Sequence, residues 1–181
     1  LNEGGYMPIS GVPHEYTYGD RVYKKGALMA HNMRAYLGDS LFFYGLKEVI
    51  NTFKFQSMNS YQFRDELTLK TGVNMTPFFN DWIFSPGYTH YEIDSTKITP
   101  NVSEYDVQIF IEQKLRGNSV FHTQAPLEVT FYDSNWNRIK KTIMTNGQFS
   151  SATVTIPFQP ILTLLNEDNK LNQARTDNQL I

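Results

Sequence analysis

The stretch Phe78–Asp94, FFNDWIFSPGYTHYEID, joins two different patterns in the sequence. Before it, apolar residues recur with a helical period of about 3.6 residues. The segment Ser85–Gly87 interrupts that pattern, and from Tyr91 onward apolar and polar residues alternate as in half-buried strands. The sequence therefore predicts an α+β chain in two parts: a small α-helical bundle over 1–88 and an antiparallel β-sandwich over 89–165, followed by a terminal strand or tail over 166–181.

Two helices are predicted before residue 54. Asp20 is a candidate N-cap for the first, which ends at Gly38, and Asp39 or Ser40 caps the second. The second helix has an apolar face that one side of the bundle must cover. This face consists of Leu41, Phe42, Leu46, Val49, Ile50 and Phe53.

Two further helices complete the predicted bundle. The third begins at Ser60 and ends at Gly72, and Thr76 followed by Pro77 begins a short fourth helix. The inward face predicted for the third helix consists of Phe63, Leu67 and Leu69.

Five strands are predicted in the second part, with turn residues between them. In the second strand, Val107, Ile109 and Ile111 share one face, as a strand with one buried side requires. Short strands at this spacing are typical of a small antiparallel sandwich. The predicted strands cover 91–99, 104–115, 127–133, 138–144 and 151–158.

Composition excludes several classes of function. The formal net charge of -2 and the lack of a clustered basic stripe argue against a nucleic-acid surface. The sequence has no cysteine, so it forms no disulfide and no thiolate metal site. No apolar run approaches the roughly 20 residues of a membrane span. The compartment stays open, and the first residue, Leu1, leads us to expect a piece of a longer chain.

Motifs for metal or nucleophilic catalysis are missing from the sequence. The four histidines, His14, His31, His90 and His122, are far apart, and no pair has the four-residue spacing of a helical zinc site. There is no G-x-S-x-G nucleophile elbow. Adjacent carboxylates such as those at 65–66 point apart on a helix, which favours a solvated face over paired acid–base catalysis. We therefore expect no metal ligands in this chain.

Five ordered blocks of residues nevertheless resemble the zinc aminopeptidase family of the gluzincin group, in the C-terminal part of its catalytic domain and the β-sandwich that follows. They cover about 65 residues in the family's order. The blocks are Tyr23, Lys25, Gly26 and Ala27; Leu37, Gly38 and Phe42; Gly45 and Leu46; Phe78, Phe79 and Trp82; and Pro86 and Gly87.

The resemblance implies a role for two tyrosines. The tyrosine at the position of Tyr23 donates a hydrogen bond to the oxyanion of the tetrahedral intermediate, and Tyr18 matches a second tyrosine that lines the same pocket. It further implies a peptide substrate and a zinc ion. Lys25, His31 and Arg34 are expected to serve the helix or its surface, and Trp82 to anchor the helices.

One departure from the family is important. The family's H-E-x-x-H motif is absent, and Glu3, in a segment like that of the third zinc ligand, precedes Tyr23 by only 20 residues, which is closer than in the family. We therefore expect the zinc ligands in an upstream catalytic half of the same polypeptide, and this segment alone to be inactive. The alternative is a non-catalytic binding or scaffolding module derived from the same family. A carbohydrate-binding sandwich would instead need exposed aromatic residues on one sheet face.

Overall fold

The computed structural model describes residues 6–19, 21–117, 120–173 and 179–180. Two compact units divide the chain: Leu1–Gly87 with Gly117–Val120, and Tyr88–Arg116 with Phe121–Ile181. The first is helical and the second consists of antiparallel sheets, so the predicted α+β class is confirmed. The three domain ranges given above stay a prediction. Three residues named above, Leu1, Glu3 and Asp20, lie outside the described residues.

The helical unit contains three α-helices and three shorter helical segments among its described residues. In chain order these are a 3-10 helix His14–Tyr16, a π-helical turn Arg21–Lys25, α1 Gly26–Thr52, α2 Ser60–Thr71, α3 Thr76–Phe78 and a second π-helical turn Phe79–Phe84. The α-helix thus begins at Gly26, later than the sequence predicts, because a wider π-helical turn replaces its first residues. None of the described helices combines the length and the apolar character that crossing a bilayer requires.

Gly38 interrupts α1, as its position in the sequence predicts. Its backbone has φ 71° and ψ 163°, which lies outside the helical region and is rare for residues with a Cβ. The glycine therefore divides α1 into the two predicted helices. Arg34 and Asp39 flank the kink and form a two-point ion pair, with distances of 2.7 and 2.8 Å.

The ends of α2 follow local signals. It begins at Ser60, and Asn59 is the cap: its side chain accepts from the Gln62 amide while the Gln62 side chain accepts from the Asn59 amide, both at 2.9 Å. Gly72, with φ 71°, ends the helix in the left-handed conformation.

Two residues predicted to face the core do not. Leu67 is fully buried, but Leu69 is 73% exposed and Ile50, on α1, is 68% exposed. Leu69 follows Leu67 by two residues, which is more than half a turn of an α-helix, so the two side chains cannot share one face.

Close packing of α1 on α2 depends on Gly45. A Cβ at this position would lie 2.7 Å from Leu67 Cδ1 and 2.7 Å from Thr71 Cγ2. Real side chains do not approach this closely, and Leu67 is fully buried, so it has little room to move. Glycine is therefore a packing requirement here.

The substitution Gly45→Val is expected to destabilise the chain by about 2 kcal/mol, because overpacking forces α1 and α2 apart. Urea unfolding followed by circular dichroism measures the loss. The matched control is Gly26→Val, since a Cβ at Gly26 meets no atom within 4 Å. Equal stability of the two variants would contradict this account.

The second unit is a sandwich of two antiparallel sheets. The strands are β1 Tyr88–Asn101, β2 Glu104–Arg116, β3 Ala125–Tyr132, β4 Arg138–Thr145, β5 Phe149–Ile156, β6 Leu162–Leu165 and β7 Gln179–Leu180. One sheet has the order β1-β2-β5 and the other β4-β3-β6-β7. The first five match the five predicted strands, whereas β6 was not predicted and β7 lies in the predicted tail.

The sandwich core confirms the alternation found in the sequence. Val107 and Ile109 are 0% exposed and Ile111 is 2% exposed, on the same face of β2. The other sheet also buries a charge: Glu128, 6% exposed, is bound by Lys140 at 3.2 Å and by Lys170. A buried carboxylate needs such partners, so the two lysines explain its position.

Candidate active site

The π-helical turn Arg21–Lys25 controls the direction of Tyr23. The amides of Val22 and Tyr23 both donate to the carbonyl of Gly19, at 3.0 and 3.2 Å. Arg21 and Lys25, at the two ends of the turn, are buried, while Val22, Tyr23 and Lys24 between them are exposed. The turn therefore projects Tyr23 away from the helical core.

Tyr18 and Tyr23 contact one another on this exposed side. Tyr23 is 57% exposed and Tyr18 84% exposed; their ring centroids are 5.5 Å apart and the rings are perpendicular, the edge-to-face arrangement that aromatic pairs favour. A hydrogen bond to Tyr18, with a smaller contribution from burial, raises the pKa of the Tyr23 phenol above its usual value of 10.0. The phenol is therefore protonated at neutral pH and able to donate.

Lys25, on the buried side of the turn, holds the turn in place. Its ammonium donates to the carbonyl of Met7 at 2.9 Å and to that of Gly87 at 3.1 Å. Burial, with a further contribution from the charge of Arg21, lowers its pKa from 10.5 to about 8. The sequence predicts that Lys25 serves the helix, and these two contacts join it to main-chain carbonyls of two distant segments.

The segment around Met7 and the end of the helical unit are also joined by backbone hydrogen bonds. Ile9 and Ser10 donate to the carbonyl of Ile83, at 3.0 and 3.2 Å, and Gly87 donates to Tyr6 at 2.5 Å. The contacts that hold the turn with Tyr23 in place thus come from residues far apart in the sequence. The sequence did not predict these contacts, because buried Arg and Lys are rare and sequence patterns place them on surfaces.

The other residues singled out in the sequence have structural contacts. Trp82 is buried and donates to the hydroxyl of Tyr36 at 2.9 Å, as an anchor between helices. His31 is exposed on α1. Two aromatic residues bear on the carbohydrate-binding alternative: Phe131 is fully buried, whereas Trp136 is 66% exposed and contacts the ring of Tyr132 at 5.8 Å.

An apolar cavity of about 230 Å³ lies beside the start of α1 within the helical unit. Its one polar lining side chain, Ser60, is hydrogen-bonded to Ser10 at 2.9 Å. The cavity therefore offers a surface for apolar side chains and no group for acid–base chemistry. Its lining residues are Ile9, Gly26, Met29, Ala30, Met33, Phe42, Leu46, Ser60, Phe63, Phe79 and Ile83.

Metal ligands do not come together in the part of the chain that the structure describes. Within it, no group of three histidine, aspartate or glutamate residues is placed to hold a metal ion. The donor set of a zinc site is therefore not found among these residues.

The fold resembles part of a solved aminopeptidase structure. The crystal structure of Legionella pneumophila aminopeptidase A in complex with aspartic acid superposes with a TM-score of 0.69 over 85% of this chain and 17% of that chain, at 16% sequence identity. This likeness defines the class by fold alone.

Sequence comparison then relates part of the chain to a family. Residues 11–82 match the Peptidase family M1 domain. Aminopeptidase N of Lactococcus lactis is 26% identical over 156 residues, and probable aminopeptidase 2 of Sulfurisphaera tokodaii is 30% identical over 86 residues. Residues 11–82 thus resemble the M1 domain, in agreement with the resemblance to the zinc aminopeptidases seen in the sequence.

These relatives are much longer than the chain. The match covers 86% of this chain and 17% of the Lactococcus lactis protein, and 46% of this chain and 11% of the Sulfurisphaera tokodaii protein. Tyr18, Tyr23 and Lys25 all lie within the family match at residues 11–82.

The substitution Lys25→Met is expected to destabilise the chain by about 2 kcal/mol at pH 7, because two main-chain carbonyls lose a charged donor. The pKa of Lys25 is about 8 in the folded chain, below the 10.5 of the unfolded chain, so the free energy of unfolding of the unmodified chain rises with pH between these values. The difference in stability between the unmodified chain and Lys25→Met should therefore increase from pH 8 to 10.5. Urea unfolding at a series of pH values measures it.

The matched control for this experiment is Lys24→Met, on the exposed side of the same turn. Its effect is expected to stay within about 0.5 kcal/mol and to be independent of pH. A Lys25→Met deficit that is constant from pH 7 to 10.5 would show that the ammonium is not desolvated.

Proposed function

We propose that the chain is part of a zinc metallo-aminopeptidase that removes N-terminal residues from peptides. The match of residues 11–82 to the family model supports the reaction class, as do the aminopeptidase names of the matched relatives. The observation that carries the proposal for this segment is the exposed, protonated phenol of Tyr23 beside Tyr18. The zinc ligands and the glutamate that activates water then belong to an upstream catalytic half of the same polypeptide.

Tyr23 stabilises the transition state in this proposal. Attack on a peptide carbonyl places negative charge on its oxygen, and a fixed hydrogen-bond donor aimed at that oxygen contributes about 3 kcal/mol. The raised pKa keeps the proton on Tyr23 across the neutral range, so a donor is present before charge develops. The hydroxyl of Tyr23 donates a hydrogen bond to the oxyanion and keeps its proton.

Tyr18 orients Tyr23 and lines the pocket. Its ring meets Tyr23 edge to face, and the hydrogen bond between the two hydroxyls gives Tyr23 a neutral acceptor until a charged one arrives. An oxyanion is the stronger acceptor, because hydrogen bonds to charged groups are about twice as strong as neutral ones. When Tyr23 exchanges Tyr18 for the oxyanion as its acceptor, the transition state is therefore stabilised more than the resting state.

This segment alone is proposed to be inactive, since the family's zinc supplies the activated water and the described residues do not form a site for it. A non-catalytic binding module of the same family is the competing possibility. It predicts peptide binding without turnover in a protein that contains both the upstream half and this chain.

The substitution Tyr23→Phe tests the proposal in the protein that includes the upstream half. It is expected to lower kcat by at least about a hundredfold with little change in KM, because the hydroxyl acts only on the developing charge. Hydrolysis of an aminoacyl anilide measures both constants. The control Tyr44→Phe removes the hydroxyl of another exposed tyrosine, on α1, and should leave kcat unchanged.

Two results would overturn the assignment. Retention of kcat in Tyr23→Phe would remove Tyr23 from the reaction. Zinc-dependent turnover by the 181-residue chain alone would refute the upstream location of the zinc ligands.

A further inference from the structure

Arg21 is a buried cation with unused hydrogen-bond donors. It is 4% exposed, and its Nη1 donates to the sulfur of Met7 at 3.5 Å, a weak contact since thioether sulfur is a poor acceptor. Its Nε and Nη2 are buried and have no hydrogen-bond partner among the described residues. Two of the three guanidinium nitrogens are thus removed from water without an acceptor.

A guanidinium stays charged in proteins, so burial cannot be relieved by neutralising it. Buried charges in stable proteins are paired, and buried N–H groups are satisfied. Among the residues that the structure describes, Arg21 therefore lacks the acceptors that its burial requires.

Lys25 adds a second positive charge one helical turn away. It donates to the carbonyls of Met7 and Gly87, and repulsion by Arg21 is one of the causes that lower its pKa. A second cation this close favours an anion beside Arg21.

We propose that Arg21 binds one carboxylate group, whose two oxygens accept from Nε and Nη2. These two nitrogens lie on one edge of the planar guanidinium, at the spacing of the oxygens of a carboxylate. The carboxylate is either a free one, as at the end of a peptide, or a side chain of the polypeptide. In both cases it fixes the turn from which Tyr23 projects.

Thermal unfolding of the chain and of Arg21→Met tests the proposal, at equal ionic strength in sodium acetate and in sodium chloride. If the group is a free carboxylate, acetate should raise the unfolding midpoint of the unmodified chain by about 3 °C or more and leave Arg21→Met unchanged. The control Arg34→Met, which breaks an exposed pair with Asp39, should respond to acetate like the unmodified chain.

If the group is a side chain of the polypeptide, acetate has no effect and Arg21→Met unfolds at least about 3 °C lower at pH 7. That difference should close below about pH 4, where carboxylates are protonated. If acetate has no effect, either of two results overturns the proposal: Arg21→Met unfolds at the same or a higher temperature than the unmodified chain, or it unfolds at a lower temperature by an amount that is independent of pH. None of these readouts depends on catalysis, so they are separate from the test of Tyr23.

Discussion

The buried ammonium of Lys25 is the interaction on which the candidate site depends. It joins the carbonyls of Met7 and Gly87, which are separated by most of the helical unit, to the turn that precedes α1. Because a charged group is expensive to bury, the ammonium holds both acceptors in place. With Lys25 and Arg21 directed inward, Tyr23 is directed outward.

Local signals made much of the fold predictable from sequence. Gly38 and Gly72 end helices because left-handed or extended backbone is easy for glycine, and the alternation through Val107 and Ile109 follows from one buried sheet face. The exposed Leu69 shows that local signals do not predict which helix residues are buried, because burial depends on what α2 packs against. The π-helical turn before α1 also left no recognisable pattern in its residues.

The candidate site was predictable only in part. The ordered blocks of the family pointed to Tyr23 and Tyr18, and no composition or periodicity argument would have done so. The edge-to-face contact between the rings and the buried cations beneath them arise from packing between segments distant in sequence. Charged residues at Arg21 and Lys25 are read from sequence as a solvated face, whereas the structure uses them as the inner side of the turn.

The state of the Tyr23 hydroxyl in solution tests the account most directly. Carbon-13 NMR of ring-labelled tyrosine, with Tyr23 assigned by its substitution to phenylalanine, would follow ionisation of this phenol from pH 7 to 12. The account predicts a pKa above the usual 10.0 that moves back toward that value in Tyr18→Phe. A pKa at or below 10.0, or one unaffected by Tyr18→Phe, would show that the two tyrosines do not form the coupled donor described above.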